Sequence, residues 1–321
     1  MSKIQQIINT MSSQRGRRVL RALRDIAAGD KIPAAALTGY KPGHVFHLKN
    51  AALGQAALWI NQGTESSCLF VPFGPVNGWG FVSGGHGPIS VGSDATEIIY
   101  DKDVTTEDIA FVEHGVCDDN DQICAALPGP GTITITATAD PTAGIKQYNY
   151  AVLRSKIEPG WDIFAAGTYA CLTADDTTVA ITIAGALAGD IGMATYSVSN
   201  DTDIVSDVVM TAGVMTITVD TDPGTDGVHS WDYLVLRKRG SFAPSHYVAY
   251  AGIHTSVGGD SVEVITITGA LATDIAICKW HTTDDTDTIA KAILTANTLT
   301  VTLSDDPGAT HKLAYMILRA Y

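Results

Sequence analysis

The chain has 321 residues, of which 45% are hydrophobic and 17% charged, and it contains 31 glycines. This length allows about two to four domains, and the abundance of Thr, Val, Ile and Gly favours strands over helices or disorder. The formal charge of −14 is unevenly distributed, because residues 1–49 carry +7 and the remaining residues carry −21. A basic segment before an acidic body predicts an anionic partner for that segment, while the acidic body makes nucleic acid an unfavoured partner.

Membrane insertion and disulfide formation are not expected. No run approaches the roughly 18 apolar residues of a membrane span, and the start lacks the charged-then-apolar order of a secretory signal. The five cysteines follow no metal-ligand spacing, so we expect them to be reduced and mostly buried.

A short basic amphipathic helix is predicted near the N-terminus. Apolar residues recur at helical spacing between Ile4 and Ile26, with arginines on the other side. An extended connector and a few short strands follow, and we interpret residues 1–75 as an anchoring arm that becomes ordered on a partner. The candidate anchoring residues are Arg15, Arg17, Arg18, Val19, Leu20, Arg21, Leu23 and Arg24.

Three copies of one domain are predicted after the arm, at residues 76–158, 159–240 and 241–321. An Asp-Pro pair recurs at 140, 222 and 306, and an Asp-Ile pair precedes each of them by 32 residues, at 108, 190 and 274. A period near 80 residues is that of a whole small domain. Alternating runs such as ITITATAD, from Ile133, predict five or six strands per copy. The predicted fold is all-β, with three tandem small β-sandwich domains, Ig-like or barrel-like, behind the arm.

Two local features of the repeats also lead to predictions. The Asp-Pro pairs have the chemistry of a turn, so each copy is expected to close with a hairpin around Asp-Pro. The GGHG sequence at residues 84–87 lacks the Lys-Ser or Lys-Thr of a phosphate-binding loop and is predicted to form a glycine-lined bend between strands.

Acidic loops are the candidate metal sites. An Asp-x-Asp motif stands 11 residues after the Asp of each Asp-Ile pair, and carboxylates at this spacing could begin an oxygen cage for Ca²⁺. The alternative is that they cap turns and discourage pairing between sheet edges. The residues are Asp119, Asp121, Asp201, Asp203, Asp285 and Asp287.

An arginine closes each repeat, in YAVLR, YLVLR and YMILR, at Arg154, Arg237 and Arg319. These side chains could contact a ligand or another subunit, but we favour a structural role in which each pairs with a nearby Asp of its own domain. The nine histidines are scattered, and no Gly-x-Ser-x-Gly or Cys-His motif is present. The sequence therefore predicts a protein that is not an enzyme and needs no cofactor apart from the possible Ca²⁺.

The phrasing of strands and turns in ITITGALATDIAI, LTVTLSDDPGATHKLAYMILR and ALWINQGTESSCLFVPFG resembles structural proteins of tailed bacteriophages, particularly those that decorate the capsid exterior or form head fibres. The resemblance implies a virion structural protein on the capsid exterior, bound to the major capsid protein and forming a homotrimer. A tail-fibre or receptor-binding adhesin for a cell-surface glycan is the alternative, and exposed aromatic residues such as Trp231, Tyr233 or Trp280 would favour it. An internal nucleic-acid organiser is a third hypothesis, opposed by the acidic body.

Overall fold

The computed structural model describes residues 27–33, 37–51, 55–76, 78–88, 95–116, 123–138, 147–155, 160–171, 177–198, 205–220, 229–239, 242–282 and 287–321. The all-β prediction is confirmed, because these residues form 22 strands in several sheets and no helix. In this part of the chain no helix is long and apolar enough to cross a membrane. The predicted basic helix lies outside the described residues.

The chain divides into two compact units, the first of which is built around the described residues before Pro75. It contains a four-stranded sheet in the order β1-β2-β3-β4, with β1 and β2 parallel and β2 and β3 antiparallel. The strands are β1 (Ala27–Gly29), β2 (Val45–Leu48), β3 (Ala56–Asn61) and β4 (Phe70–Val76).

The first unit has a small core of its own. Phe46, Trp59 and Phe70 are buried, and the rings of Phe46 and Phe70 meet edge to face at 5.9 Å. The buried Asn61 side chain fixes the surrounding loops, since its Nδ2 donates to Tyr40 O at 2.7 Å and its Oδ1 accepts from Leu69 N at 2.8 Å. The short strands predicted for this segment are present as β3 and β4, and β2 adds a strand within the stretch predicted as an extended connector.

The second unit contains all three repeats, and each contributes six strands in the same order. The first repeat has β5 (Trp79–Pro88), β6 (Thr96–Tyr100), β7 (Ile109–Val116), β8 (Ile123–Gly129), β9 (Thr132–Ala137) and β10 (Gln147–Ser155). The second has β11 (Trp161–Cys171), β12 (Thr178–Thr182), β13 (Ile191–Val198), β14 (Val205–Thr211), β15 (Val214–Val219) and β16 (His229–Lys238). The third has β17 (His246–Thr255), β18 (Val262–Thr266), β19 (Ile275–Thr282), β20 (Ile289–Thr295), β21 (Thr298–Leu303) and β22 (Lys312–Ala320).

Each repeat has two antiparallel ladders of three strands. The inner ladders are β5-β10-β7, β11-β16-β13 and β17-β22-β19, and the outer ladders are β6-β9-β8, β12-β15-β14 and β18-β21-β20. A cluster of buried side chains lies between the two ladders of every repeat. Strict alternation along the outer strands produces this burial, as in β21, where Leu299, Val301 and Leu303 are buried and the threonines between them are not.

The Asp-Pro segment that the structure describes, at residues 304–311, does not form the predicted hairpin. The strand before it, β21, belongs to the outer ladder and the strand after it, β22, to the inner ladder, so the segment crosses from one sheet of the sandwich to the other. In the other two repeats the flanking strands β9 and β15 likewise pair in the outer ladders. In the described copy, Asp306 accepts hydrogen bonds from Gly308 N and Gly259 N at 2.9 and 2.8 Å. The turn chemistry of Asp-Pro was identified correctly, but the same chemistry serves a crossover as well as a hairpin.

The hairpin in each repeat lies one strand earlier, between the fourth and fifth strands. Its two-residue turns end in Gly131, Gly213 and Asn297, whose φ angles are 72°, 81° and 65°. Glycine adopts this left-handed region at little cost, and asparagine tolerates it better than most other residues.

Residues 84–87 lie inside β5, so the bend predicted there is wrong. Gly85, in β5, lies opposite Tyr150, whose ring would be 3.1 Å from an added Cβ. The same pairing recurs at Gly167 with Tyr233 and at Gly252 with Tyr315. Each glycine leaves room for a tyrosine ring to cover the neighbouring strand, which explains its place in a strand interior.

The three repeats also share one core, which independent domains in a row would not do. We call it the axial core: it consists of 16 buried residues, five each from the first two repeats and six from the third. The inner strand that follows the Asp of each Asp-Ile pair supplies two equivalent residues to this core. The first is the isoleucine of the pair, and the second is Phe111, Met193 or Ile277. All three central positions are fully buried, so the repeats stabilise one another through this contact.

Strand contacts close the three repeats into a ring. β14 of the second repeat packs on β7 of the first, β20 of the third packs on β13 of the second, and β8 of the first packs on β19 of the third. In every case the third strand of one repeat packs against the fourth strand of a neighbouring repeat. Each repeat therefore contacts the next repeat through one face and the previous repeat through another. Such head-to-tail contacts generate a closed ring when the rotation between units closes.

Candidate functional site

A polar layer continues the axial core and joins all three repeats. Glu113, Thr195 and Lys279 each stand five residues after the Asp of the Asp-Ile pair, two residues beyond the last central apolar position. On a strand, this spacing places them on the same face as Phe111, Met193 and Ile277. We call these three residues the junction.

Hydrogen bonds in the junction run from repeat to repeat. Glu113 Oε2 accepts from Ala194 N at 2.8 Å, which joins the first repeat to the second. Thr195 Oγ1 bonds both the carbonyl and the amide of Cys278, at 3.2 and 3.3 Å, and joins the second repeat to the third. Lys279 Nζ donates to Glu113 Oε1 at 2.6 Å and to Ala194 O at 2.8 Å. The lysine thereby links the third repeat back to the first and closes the network.

The charges of the junction are shielded from water. The side chain of Glu113 is 3% exposed and that of Lys279 17%. Burial raises the pKa of Glu113, and the neighbouring Lys279 ammonium opposes that rise. Both carboxylate oxygens are engaged, so the pair supports a structural contact rather than proton transfer to a substrate.

Two further cross-repeat contacts surround the junction. Asn149 Nδ2 donates to Gly192 O and Val208 O, at 3.1 and 2.7 Å, from the first repeat to the second. Asp232, at the equivalent strand position of the second repeat, accepts from Ala276 N of the third at 3.0 Å. Burial raises the pKa of Asp232, while its hydrogen bonds from Thr168 and Ala276 act in the opposite direction.

A cavity of about 90 Å³ lies beside the junction and is lined by all three repeats. Two of the side chains that line it, His114 and Trp280, occupy equivalent positions in the first and third repeats. The ring of His114 stacks on that of Tyr148 with 5.3 Å between the ring centres, and Trp280 Nε1 donates a hydrogen bond to Asp287 O at 2.9 Å. Burial raises the pKa of the Cys278 thiol to about 12, so this residue is not an activated nucleophile. The cavity is a seam between the three repeats.

The structural role predicted for the closing arginines is confirmed, and the partner is the Asp of the Asp-Ile pair. Each arginine donates through Nε and Nη2 to both carboxylate oxygens, at distances between 2.5 and 2.8 Å. Each Asp also accepts the backbone N–H three residues before it, which holds the turn that starts the inner strand. Hydrogen bonding to Asp108 raises the pKa of Arg154, and Asp274 raises that of Arg319 in the same way. The pairs are Arg154–Asp108, Arg237–Asp190 and Arg319–Asp274.

Most of the other predicted site residues lie outside the described residues. This applies to the anchoring candidates Arg15, Arg17, Arg18, Val19, Leu20, Arg21, Leu23 and Arg24, and to Asp119, Asp121, Asp201, Asp203 and Asp285. Asp287 is described and buried just before β20. Within the described ranges no group of three or more His, Cys, Asp or Glu side chains could hold a metal ion, so Ca²⁺ binding remains a prediction for the other loops.

Two of the three aromatic residues named for a glycan-binding surface are buried. Trp231 and Trp280 are buried in the cores of the second and third repeats, and Tyr233 is half-buried over Gly167. Cys68, Cys124 and Cys278 are buried, as predicted for most of the cysteines.

Sequence reasoning missed the junction. Its only sequence signal is a fixed distance of five residues from the Asp of each Asp-Ile pair, and the three positions hold three different residues. Comparisons of the chain with protein-family models, with curated proteins and with solved structures find no match. The candidate functional feature is therefore defined by geometry: a ring of three repeats, closed by an axial core and a polar junction.

Proposed function

We propose that this protein is a non-enzymatic structural component of a tailed-phage virion, which decorates or cements the outside of the capsid and is anchored through its basic N-terminal segment. The observation that carries the proposal is the closed ring of three equivalent repeats, which offers the same surface three times around one axis. A capsid has three-fold positions where three copies of its major protein meet. Three contacts made together gain avidity that one contact would lack.

The charge distribution supports the same proposal. The first 49 residues carry +7 and the rest −21, so the basic segment is suited to an anionic patch of the shell and the acidic repeats to a part of the shell that is not anionic. The buried charges of the repeats are used internally, as in the three Arg–Asp pairs and the Glu113–Lys279 pair.

A tail-fibre or receptor-binding adhesin remains the alternative prediction. The burial of Trp231 and Trp280 removes two of the residues that would have favoured it. A glycan array tests this alternative directly, since an adhesin would retain specific glycans and a capsid protein would not.

The proposal is tested by cosedimentation with capsids stripped of this protein. We expect the full-length chain to saturate the capsids. A variant with glutamine at five anchoring arginines should stay largely in the supernatant, because the basic segment supplies the attraction. The substituted residues are Arg15, Arg17, Arg18, Arg21 and Arg24.

A control removes exposed positive charges outside the segment. The three exposed lysines that the structure describes beyond residue 49, Lys102, Lys238 and Lys312, are replaced by glutamine, and this control is expected to sediment like the unmodified chain. A variant with glutamine only at Arg17, Arg18 and Arg21 matches it in charge. Equal losses in both variants would show a nonspecific charge effect, and failure of the unmodified chain to sediment would refute capsid decoration.

A further inference from the structure

The ring leaves no open position at its axis for a second copy of the chain. The face that each repeat directs towards its neighbour is occupied, since β7, β13 and β19 are covered by β14, β20 and β8 respectively. The axial core is filled by residues of this one chain, and its central side chains are fully buried. The contacts that usually join subunits of a three-fold oligomer are thus made within a single chain.

The junction could not be built from three identical repeats. A symmetric trimer would repeat one side chain three times around the buried axis, so it could not form the Glu–Lys pair, and three glutamates or three lysines there would repel strongly. This chain instead has Glu113, Thr195 and Lys279 at the three equivalent positions, and the ammonium group lies 2.6 Å from the carboxylate. A symmetric trimer of identical repeats cannot place three different residues at this position, whereas one polypeptide with three repeats in a fixed order does so.

We infer that one chain is the complete three-fold unit, and that its partner is a site at which three identical protein subunits meet, each contacting one repeat. This inference rests on the proposed function for the identity of the partner, the capsid protein. The one-chain unit replaces the homotrimer predicted from the sequence. A homotrimer would supply three-fold symmetry through three chains, and the three repeats of a single chain already supply it. The expected stoichiometry is one chain for each three-fold position.

Two measurements on the full-length chain test the inference. Light scattering coupled to size-exclusion chromatography is expected to give the mass of one chain, 33.7 kDa, throughout the micromolar range. Titration of stripped capsids, with the bound protein counted by quantitative mass spectrometry against the capsid protein, is expected to saturate at one chain for every three-fold position.

The outcomes separate the inference from the proposed function. A mass three times larger, or saturation at three chains for each position, overturns the one-chain unit while leaving capsid decoration intact. A monomer that binds no capsid overturns the assigned partner and the proposed function together. A monomer that saturates at one chain for each position supports both.

Discussion

Lys279→Met lowers the free energy of unfolding by about 3 kcal/mol near neutral pH, at the lower end of the cost of breaking a buried ion pair. The substitution keeps the length of the side chain and removes its charge, so the Glu113 carboxylate is left buried without its cation. Lys279 also donates to Ala194 O, and that backbone acceptor loses its partner as well. Urea unfolding monitored by tryptophan fluorescence measures the difference.

The pH dependence identifies the cause of this loss. Without Lys279, burial raises the pKa of Glu113 further above its ordinary value of about 4.5. A carboxyl group whose pKa is raised on folding binds more protons in the folded than in the unfolded state, so stability falls as the pH rises towards the folded pKa. The deficit of the variant is therefore largest near neutral pH and shrinks on acidification.

The double variant Glu113→Gln with Lys279→Met is the matched control. Glutamine keeps an oxygen for Ala194 N and carries no charge, so we expect most of the lost stability to return. If the single and double variants lost the same free energy of unfolding, or if the loss did not change with pH, the buried unpaired carboxylate of Glu113 would not be its source.

Asp190→Ala lowers the free energy of unfolding by about 3 kcal/mol, because the carboxylate holds three groups at once. It accepts two hydrogen bonds from Arg237, at 2.7 and 2.5 Å, and one from Leu187 N at 2.8 Å. The arginine remains partly buried over the ring of Phe164, with its guanidinium carbon 3.8 Å from the ring centre, and it loses both contacts with this carboxylate. Chemical denaturation provides the measurement.

The same substitution can be repeated at the equivalent positions. Asp108→Ala and Asp274→Ala remove the same contacts from the first and third repeats and should cost a similar amount. Lys102→Ala removes an exposed ion pair with Asp103 and serves as the control, since exposed pairs contribute little. If the Asp variants were as stable as this control, the recurrent pairs would have no structural role.

Features that recur at the same spacing in all three repeats could be predicted correctly from the sequence. The Asp-Ile pairs and closing arginines locate the repeats, and pairing of each arginine with an Asp of its own domain follows from one carboxylate and one guanidinium recurring together. The all-β fold follows from two-residue alternation in runs such as ITITATAD. These features depend on contacts within one repeat and are the same in all three.

The ring and its junction could not be predicted in this way. Glu113 and Lys279 are 166 residues apart, and the three junction positions hold three different residues. The junction therefore leaves no repeated residue pattern in the sequence. The Asp-Pro crossover was misassigned because its turn residues are those of a hairpin, and only the pairing of the flanking strands distinguishes the two. Local chemistry determines a turn, while the partner of the next strand depends on the packing of the whole unit.

Hydrogen exchange of a Phe111→Ala variant shows whether the three repeats form one cooperative ring. Phe111 lies in the axial core and is fully buried, so its removal should cost about 3–5 kcal/mol. In a cooperative ring, amide exchange becomes faster in β7 of the first repeat and, to a similar extent, in β13 and β19 of the other two. Faster exchange confined to the first repeat would mean instead that the repeats fold as separate domains.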